Sequence, residues 1–168
     1  MLAGLGGVVT GWRLLFLDVD GPLLPFGGVP ESYASGSTLD RLDPRLGVRL
    51  AALPAELVWA TSWEDDANLR IAPRLGLPAL PVVHWPEPAP GDEQEQLDRW
   101  YGLHWKLRPL VRWADGRPFA WVDDEIAETD REWVREHGPG PALLHRVPAD
   151  RGLQDEDFAV LESWFRAR

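Results

Sequence analysis

Three short apolar stretches of the chain each end in side chains that can bind a metal ion or a phosphate. These side chains are Asp18 and Asp20, then Thr61, then Asp123 and Asp124. Lys106, the only lysine among 17 basic residues, precedes the last acid pair. Carboxylates bind Mg²⁺ and one of them can attack phosphorus, whereas a hydroxyl and an ammonium group hold phosphoryl oxygens. This set of groups indicates phosphoryl transfer through an aspartyl-phosphate, with Mg²⁺ as cofactor.

The elements that must bring these side chains together are the strands of a parallel sheet. Continuous apolar runs such as 14–17 and 119–122 are typical of strands that are buried on both faces. Further strands are predicted at 57–60, 79–84 and 142–147, which makes five. Because the carboxyl ends of parallel strands lie along one edge of a sheet, residues distant in sequence converge there.

Helical spacing and turn signals place helices between these strands. The predicted helices cover about 43–53, 63–75, 93–114, 126–137 and 155–166, and the third of them is expected to break near Tyr101 and Gly102 and to be limited by Pro109. Ser62 followed by Asp65 resembles a capping box for the second of them. The segment at about 22–40 is rich in Gly, Pro and Ser and is interpreted as a loop or flap. The alternation predicts an α/β fold: a doubly wound, mainly parallel five-stranded sheet with helices on both faces.

The composition excludes several classes of protein. With 45% hydrophobic and 26% charged residues and no cysteine, the chain is neither disordered, collagen-like nor a disulfide scaffold. A net charge of −10 argues against strong non-specific nucleic-acid binding, which needs clustered basic residues. No apolar run approaches the roughly 20 residues of a membrane span, and the start lacks the basic end of a signal peptide. We therefore expect one cytoplasmic domain over residues 1–168.

The motifs resemble those of the haloacid dehalogenase-like (HAD) hydrolase superfamily. LFLDVDG is similar to the first motif of the superfamily and VWAT to the second, while Lys106 matches the third and FAWVDD the fourth. The wording of LDVDGPL and VWATSWEDDAN resembles a branch of small HAD domains found in RNA-repair proteins. The resemblance implies a Rossmann-like HAD fold and a phosphohydrolase that depends on Mg²⁺.

The resemblance also implies roles for individual residues. The implied catalytic residues are Asp18, Asp20, Thr61 and Lys106, and the implied metal ligands are Asp18, Asp20, Asp123 and Asp124. Asp18 is the implied nucleophile, and Asp20 the acid and then the base, with its backbone carbonyl on the metal. The presence of Asp20 favours a phosphatase over a dehalogenase. Pro22 departs from the small aliphatic residue of many members but leaves every implied ligand in place.

The segments that could carry a cap domain are short. Those before Thr61 and before Lys106 are smaller than an independent domain, which takes about 50 residues or more. We therefore predict an open site suited to a nucleotide, a nucleic-acid end or another large phosphorylated substrate. The alternative is a catalytically weak or inactive regulatory domain that keeps the fold and the metal site and binds a partner.

Several of these residues also have purely structural interpretations. Thr61 is suited to starting the turn before a helix, and Asp123 and Asp124 to an acidic helix start. The ten tryptophans are expected mostly in the core, although Trp63 and Trp85 follow strand ends and are candidates for stacking on a substrate ring. The four histidines lack metal-ligand spacing, so they are not interpreted as ligands.

Overall fold

The fold is built on a parallel sheet, seen in a computed structural model that describes residues 13–28 and 37–167. In this part of the chain the sheet has four strands in the order β2-β1-β3-β4, every neighbouring pair parallel. The strands are β1 (Leu14–Leu17), β2 (Glu56–Trp59), β3 (Phe119–Asp123) and β4 (Ala142–Arg146). The α/β architecture is therefore the predicted one, with the carboxyl ends of all four strands on one edge.

The prediction of a fifth strand at 79–84 was wrong. This segment pairs with the sheet through a single bridge, between Val82 and Trp59. The Trp59 backbone N–H donates to Pro81 O and the Val83 N–H donates to Trp59 O, both at 2.9 Å. Pro81 has no N–H to donate to the neighbouring strand, which limits the ladder along the segment.

Helices cover both faces of the sheet, as predicted. They are α1 (Pro44–Ala51), α2 (Glu93–Tyr101), α3 (Leu107–Ala114), α4 (Glu128–His137) and α5 (Asp155–Arg166). The break that the sequence predicts in the segment 93–114 is confirmed, because Gly102 ends α2 in the left-handed region at φ 73°. Pro109 lies in the first turn of α3, where a missing N–H costs no helical hydrogen bond.

The predicted helix at 63–75 begins later and is irregular. A π-helical turn covers Ala67–Ile71, and a 3₁₀ turn follows at Ala72–Leu75. Pro73 cannot donate a backbone hydrogen bond, so the regular α-helical ladder does not continue through it. Ser62 is not the cap of this helix, since Thr61 Oγ1 accepts the backbone N–H of Trp63 at 3.2 Å.

The core consists of two apolar layers, one on each face of the sheet. Side chains alternate along β1, so that Leu15 and Leu17 face one layer while Leu14 and Phe16 face the other. The first layer contains α1, α5 and the turns at 67–75, and the second contains α3 and α4. Both faces of β1 are fully buried, which explains its uninterrupted apolar sequence.

The elements inserted between β1 and β2 are small in the part of the chain that the structure describes. Between β1 and β2 they comprise a loop at 22–28, a 3₁₀ turn at Thr38–Arg41 and α1. Residues 29–36 of the predicted flap lie outside the described residues. No described helix is long and apolar enough to cross a membrane.

Candidate active site

The candidate site lies where the strand order of the sheet reverses. From the central strand β1 the chain passes to β2 on one side and then crosses to β3 on the other. Asp18 follows β1 directly, and its backbone N–H donates to Val122 O of β3 at 3.0 Å. Asp123 is the last residue of β3. The crevice outside such a reversal is where open α/β sheets bind ligands.

Lys106 connects the acids of the two central strands. Its Nζ lies 2.8 Å from Asp123 Oδ2 and 3.2 Å from Asp18 Oδ2. The same ammonium donates to the backbone carbonyl of Ala60, at the end of β2, at 3.1 Å. Lys106 is only 4% exposed, and it immediately precedes α3, whose first residue Leu107 is fully buried. One cation therefore joins the ends of three strands.

Negative charge exceeds positive charge among these buried groups. Burial, with the charge of Asp123, raises the pKa of Asp18 to about 8, although Lys106 acts in the opposite direction. Burial and Asp123 also raise the pKa of Asp124 to about 6. Burial alone would lower the pKa of Lys106. The negative charges of Asp18 and Asp123 outweigh this effect of burial, so the pKa of Lys106 lies above its usual value. The site therefore favours an additional cation or proton.

The carboxylates can hold that additional cation. Asp18, Asp123 and Asp124 each offer an oxygen, and these atoms all lie within 4.8 Å of one another. Carboxylate oxygens are the ligands that Mg²⁺ takes in proteins, so both the donor type and the excess negative charge fit this ion. The Asp20 side chain contributes no oxygen to this group; only its backbone carbonyl remains as the predicted ligand.

Asp20 and Thr61 are both hydrogen-bonded to Trp63. The indole Nε1 of Trp63 donates to Asp20 Oδ2 at 3.0 Å, and the backbone N–H of Trp63 donates to Thr61 Oγ1 at 3.2 Å. Thr61 is fully buried and does start a turn, as its structural interpretation proposed. A threonine hydroxyl that accepts one bond still has its hydrogen to donate, so both of its interpretations are compatible.

Gly21 is required by the close approach of two segments of the site. Its φ is +99°, a region that side chains disfavour, and a Cβ placed on it would lie 2.8 Å from Asp124 Cβ. The turn that carries Asp20 therefore packs directly against the loop that carries Asp124. The glycine of the DVDG motif is explained by this contact.

Sequence reasoning missed His104, which lies behind Lys106. The His104 side chain is 5% exposed, its Nδ1 accepts the backbone N–H of Lys106 at 3.1 Å, and its backbone N–H donates to Asp130 Oδ1 at 2.7 Å. Nδ1 accepts a bond, so a neutral ring carries its hydrogen on Nε2, which lies 3.3 Å from Glu125 Oε2. His104, Asp123 and Glu125 also offer ligand atoms that lie within 4.8 Å of one another, a group that the spacing of the histidines along the sequence does not reveal. The only sequence signal for the contact with Lys106 is that His104 lies two residues before Lys106.

A family comparison agrees with this geometry. The family model described as "HAD domain in Swiss Army Knife RNA repair proteins" matches residues 14–158. The chain belongs to this HAD family. The match begins at the first residue of β1 and ends inside α5, so it includes the whole candidate site. No curated protein and no solved structure matches the chain.

Membership confirms the HAD fold and the RNA-repair branch that the motifs resembled. It indicates a function of the phosphohydrolase type, and HAD proteins generally use Mg²⁺, in keeping with the acidic cluster around Asp18. The structure brings together Asp18, Lys106, Asp123 and Asp124. Asp20 adjoins this group through its own turn.

Proposed function

We propose that this HAD domain is a Mg²⁺-dependent phosphomonoester hydrolase that works through an aspartyl-phosphate on Asp18. The observation that carries the proposal is the position of the Asp18 carboxylate. It lies at the strand-order reversal, in contact with Lys106 and within reach of the acid pair of β3. A carboxylate between an ammonium group and a cation site is suited to attack on phosphorus, because the incoming phosphoryl charge is neutralised there.

The metal ligands in this proposal are Asp18, Asp123 and Asp124, with the backbone carbonyl of Asp20. Bound there, Mg²⁺ supplies positive charge that offsets the charge of the carboxylates and of the phosphoryl oxygens. Lys106 adds a fixed positive charge 3.2 Å from Asp18 Oδ2. Its bonds to Asp123 and Ala60 O hold the ammonium in place without a ligand.

In the first step a carboxylate oxygen of Asp18 bonds to phosphorus while the bond from phosphorus to the leaving oxygen breaks. The protonated carboxyl group of Asp20 gives its proton to that oxygen, which departs as an alcohol. Trp63 holds one oxygen of Asp20, so the other is available for the transfer. The Thr61 hydroxyl and Lys106 bind the phosphoryl oxygens.

In the second step water hydrolyses the phosphoenzyme. The Asp20 carboxylate, which has lost its proton, accepts one from the water as the water oxygen bonds to phosphorus. The bond between phosphorus and Asp18 breaks, and inorganic phosphate leaves. Asp18 returns as a carboxylate and Asp20 as a carboxylic acid, so the cycle closes with one water consumed.

The test is phosphate release from a panel of phosphomonoesters, with Mg²⁺, with a chelator and with Asp18→Asn. We expect release that needs both the metal and Asp18. The matched control is Asp115→Asn, an exposed site at the end of α3 with left-handed backbone that asparagine tolerates. Equal release from Asp18→Asn would overturn the mechanism. A protein that binds Mg²⁺ and releases no phosphate would instead be the regulatory domain.

A further inference from the structure

Two indole rings lie beside the ammonium group of Lys106, one on the residue before it and one in the loop that follows the segment at 79–84. The ring centroids of Trp105 and Trp85 are 5.6 Å and 5.9 Å from Lys106 Nζ. The rings pack against each other with their centroids 5.0 Å apart and their planes at 74°. The same ammonium contacts Asp18 at 3.2 Å, so these rings lie next to the proposed phosphoryl site.

We propose that Trp105, supported by Trp85, is a subsite that stacks the nucleobase of a nucleotide whose phosphate is bound at Asp18. This inference rests on the proposed phosphatase activity and deepens it by naming the class of substrate. The chemistry recognised is a planar, uncharged heterocycle one sugar away from a phosphomonoester. Free nucleotides and the terminal nucleotide of a strand share this chemistry.

The fixed position of these rings supports a binding surface. The Trp85 indole N–H donates to Thr61 O at 3.0 Å, which ties this ring to the end of β2. Trp105 stacks on the buried ring of His104 with a centroid distance of 5.8 Å and an interplanar angle of 26°. Despite these contacts, 52% of Trp105 is exposed. A rigid aromatic side chain left open to water beside a catalytic cation offers stacking at little cost in conformational entropy.

The charge around the rings favours a nucleobase over an acidic ligand. Glu64 Oε1 accepts the backbone N–H of Trp85, and the exposed Glu125 lies next to His104. With a chain charge of −10, this acidic rim disfavours a phosphopeptide that is rich in acids and suits amino groups of a base. One phosphate at Asp18 and one neutral ring at Trp105 match this distribution of charge.

The kinetic test compares adenosine monophosphate with ribose 5-phosphate, which lacks the base, in Trp105→Ala. We expect the ratio of KM for the nucleotide to KM for ribose 5-phosphate to rise about tenfold, with little change in the ratio of the two kcat values. Trp105→Phe should restore most of the affinity. The matched control is Trp100→Ala, a tryptophan on α2 that is 84% exposed. Equal effects on both substrates, or no effect, would overturn the subsite.

Two further arms separate the possible sources and the possible failures. A short oligoribonucleotide with a terminal phosphate is compared with the free nucleotide. Trp105→Ala should weaken the binding of the substrate whose base lies on the ring. Phosphotyrosine is the rival ligand. If Trp105→Ala raises KM for phosphotyrosine but not for the nucleotide, the proposal that Trp105 stacks a nucleobase is refuted. Calorimetry with adenosine, which has no phosphate, tests the ring subsite even if the phosphatase activity fails. Adenosine binding that is lost in Trp105→Ala supports the subsite, and its absence from the wild type contradicts it.

Discussion

Asp20 is the residue on which the two halves of the proposed reaction depend. Its Oδ2 is held at 3.0 Å by Trp63, and its side chain adds no oxygen to the acidic cluster. We predict that Asp20→Asn lowers kcat by about 10²–10⁴-fold, the usual contribution of a general acid or base. Binding of Mg²⁺, measured by calorimetry, should be retained. Wild-type turnover in this variant would assign the proton transfers elsewhere.

Asp18 links metal binding to pH. Because burial and Asp123 raise its pKa to about 8, the metal-free carboxyl group is protonated at neutral pH, and a cation must displace that proton. We predict that the affinity for Mg²⁺ rises between pH 6 and pH 8, by up to about tenfold per pH unit for one displaced proton. Calorimetry over this range checks the slope. An affinity that is flat with pH would contradict the account of Asp18.

At the scale of single elements, the missing side chain of Gly47 lets α1 pack closely against the turn at 72–75. A Cβ on this residue would lie 1.7 Å from Leu75 O in the turn at 72–75. We predict that Gly47→Ala lowers the free energy of unfolding by about 1–3 kcal/mol, the usual cost of overpacking, although alanine favours helix. Urea denaturation measures this loss. Val48→Ala, at a position 73% exposed on the same helix, should leave stability nearly unchanged.

The start of α5 is held to β4 by the buried carboxylate of Asp157. It accepts hydrogen bonds from His145 Nε2 at 2.8 Å, Arg151 Nη2 at 2.9 Å and the backbone N–H of Gln154 at 2.8 Å. Burial alone would raise the pKa of Asp157, but these bonds lower it below its usual value. The carboxylate therefore stabilises the fold above the unfolded pKa of about 3.9, and this contribution is lost as pH falls through the folded pKa.

We predict that Asp157→Asn lowers the free energy of unfolding by about 2 kcal/mol at pH 7, because a buried network loses its charged acceptor. Wild type and variant should converge in stability when the pH falls from 7 to a second, acid value below the lowered folded pKa of Asp157, where both side chains are neutral. Thermal denaturation at the two pH values measures the difference. A deficit of the same size at both values would show that packing, not charge, explains the loss.

The sequence predicts best the elements whose hydrophobic pattern is compatible with only one type of secondary structure. The apolar run of β1 and the helical spacing of α5 correspond to the observed elements, because burial alone sets their pattern. The strand expected at 79–84 does not form because Pro81 lacks a backbone donor. Strand propensity describes side chains and takes no account of the hydrogen bonds that a proline removes. Asp18 and Asp123 were found because strand ends converge in any parallel sheet. Trp105 was missed because its place beside Lys106 depends on how the loop between α2 and α3 folds.

At the scale of the whole molecule, the proposed site for a phosphate lies in an acidic chain. A net charge of −10 repels phosphates at long range, so binding must rest on local groups: Lys106, a bound cation and the aromatic rings beside them. In the described part of the chain the segments between the strands contain helices and short helical turns. Domains of this family are described from RNA repair proteins. The proposed phosphohydrolase chemistry agrees with such a setting, and this chemistry is the claim to test first.

The most direct test of that claim is to trap the phosphoenzyme. The Asp20→Asn variant is mixed with a substrate and Mg²⁺, quenched in acid, digested and analysed by mass spectrometry. We predict one phosphoryl group on the peptide that contains Asp18, lost when Asp18 is also changed to Asn and absent when a chelator is added. Phosphate release by the wild type, with no phosphoryl group on Asp18 at any time after mixing, would contradict the aspartyl-phosphate and indicate direct attack by water.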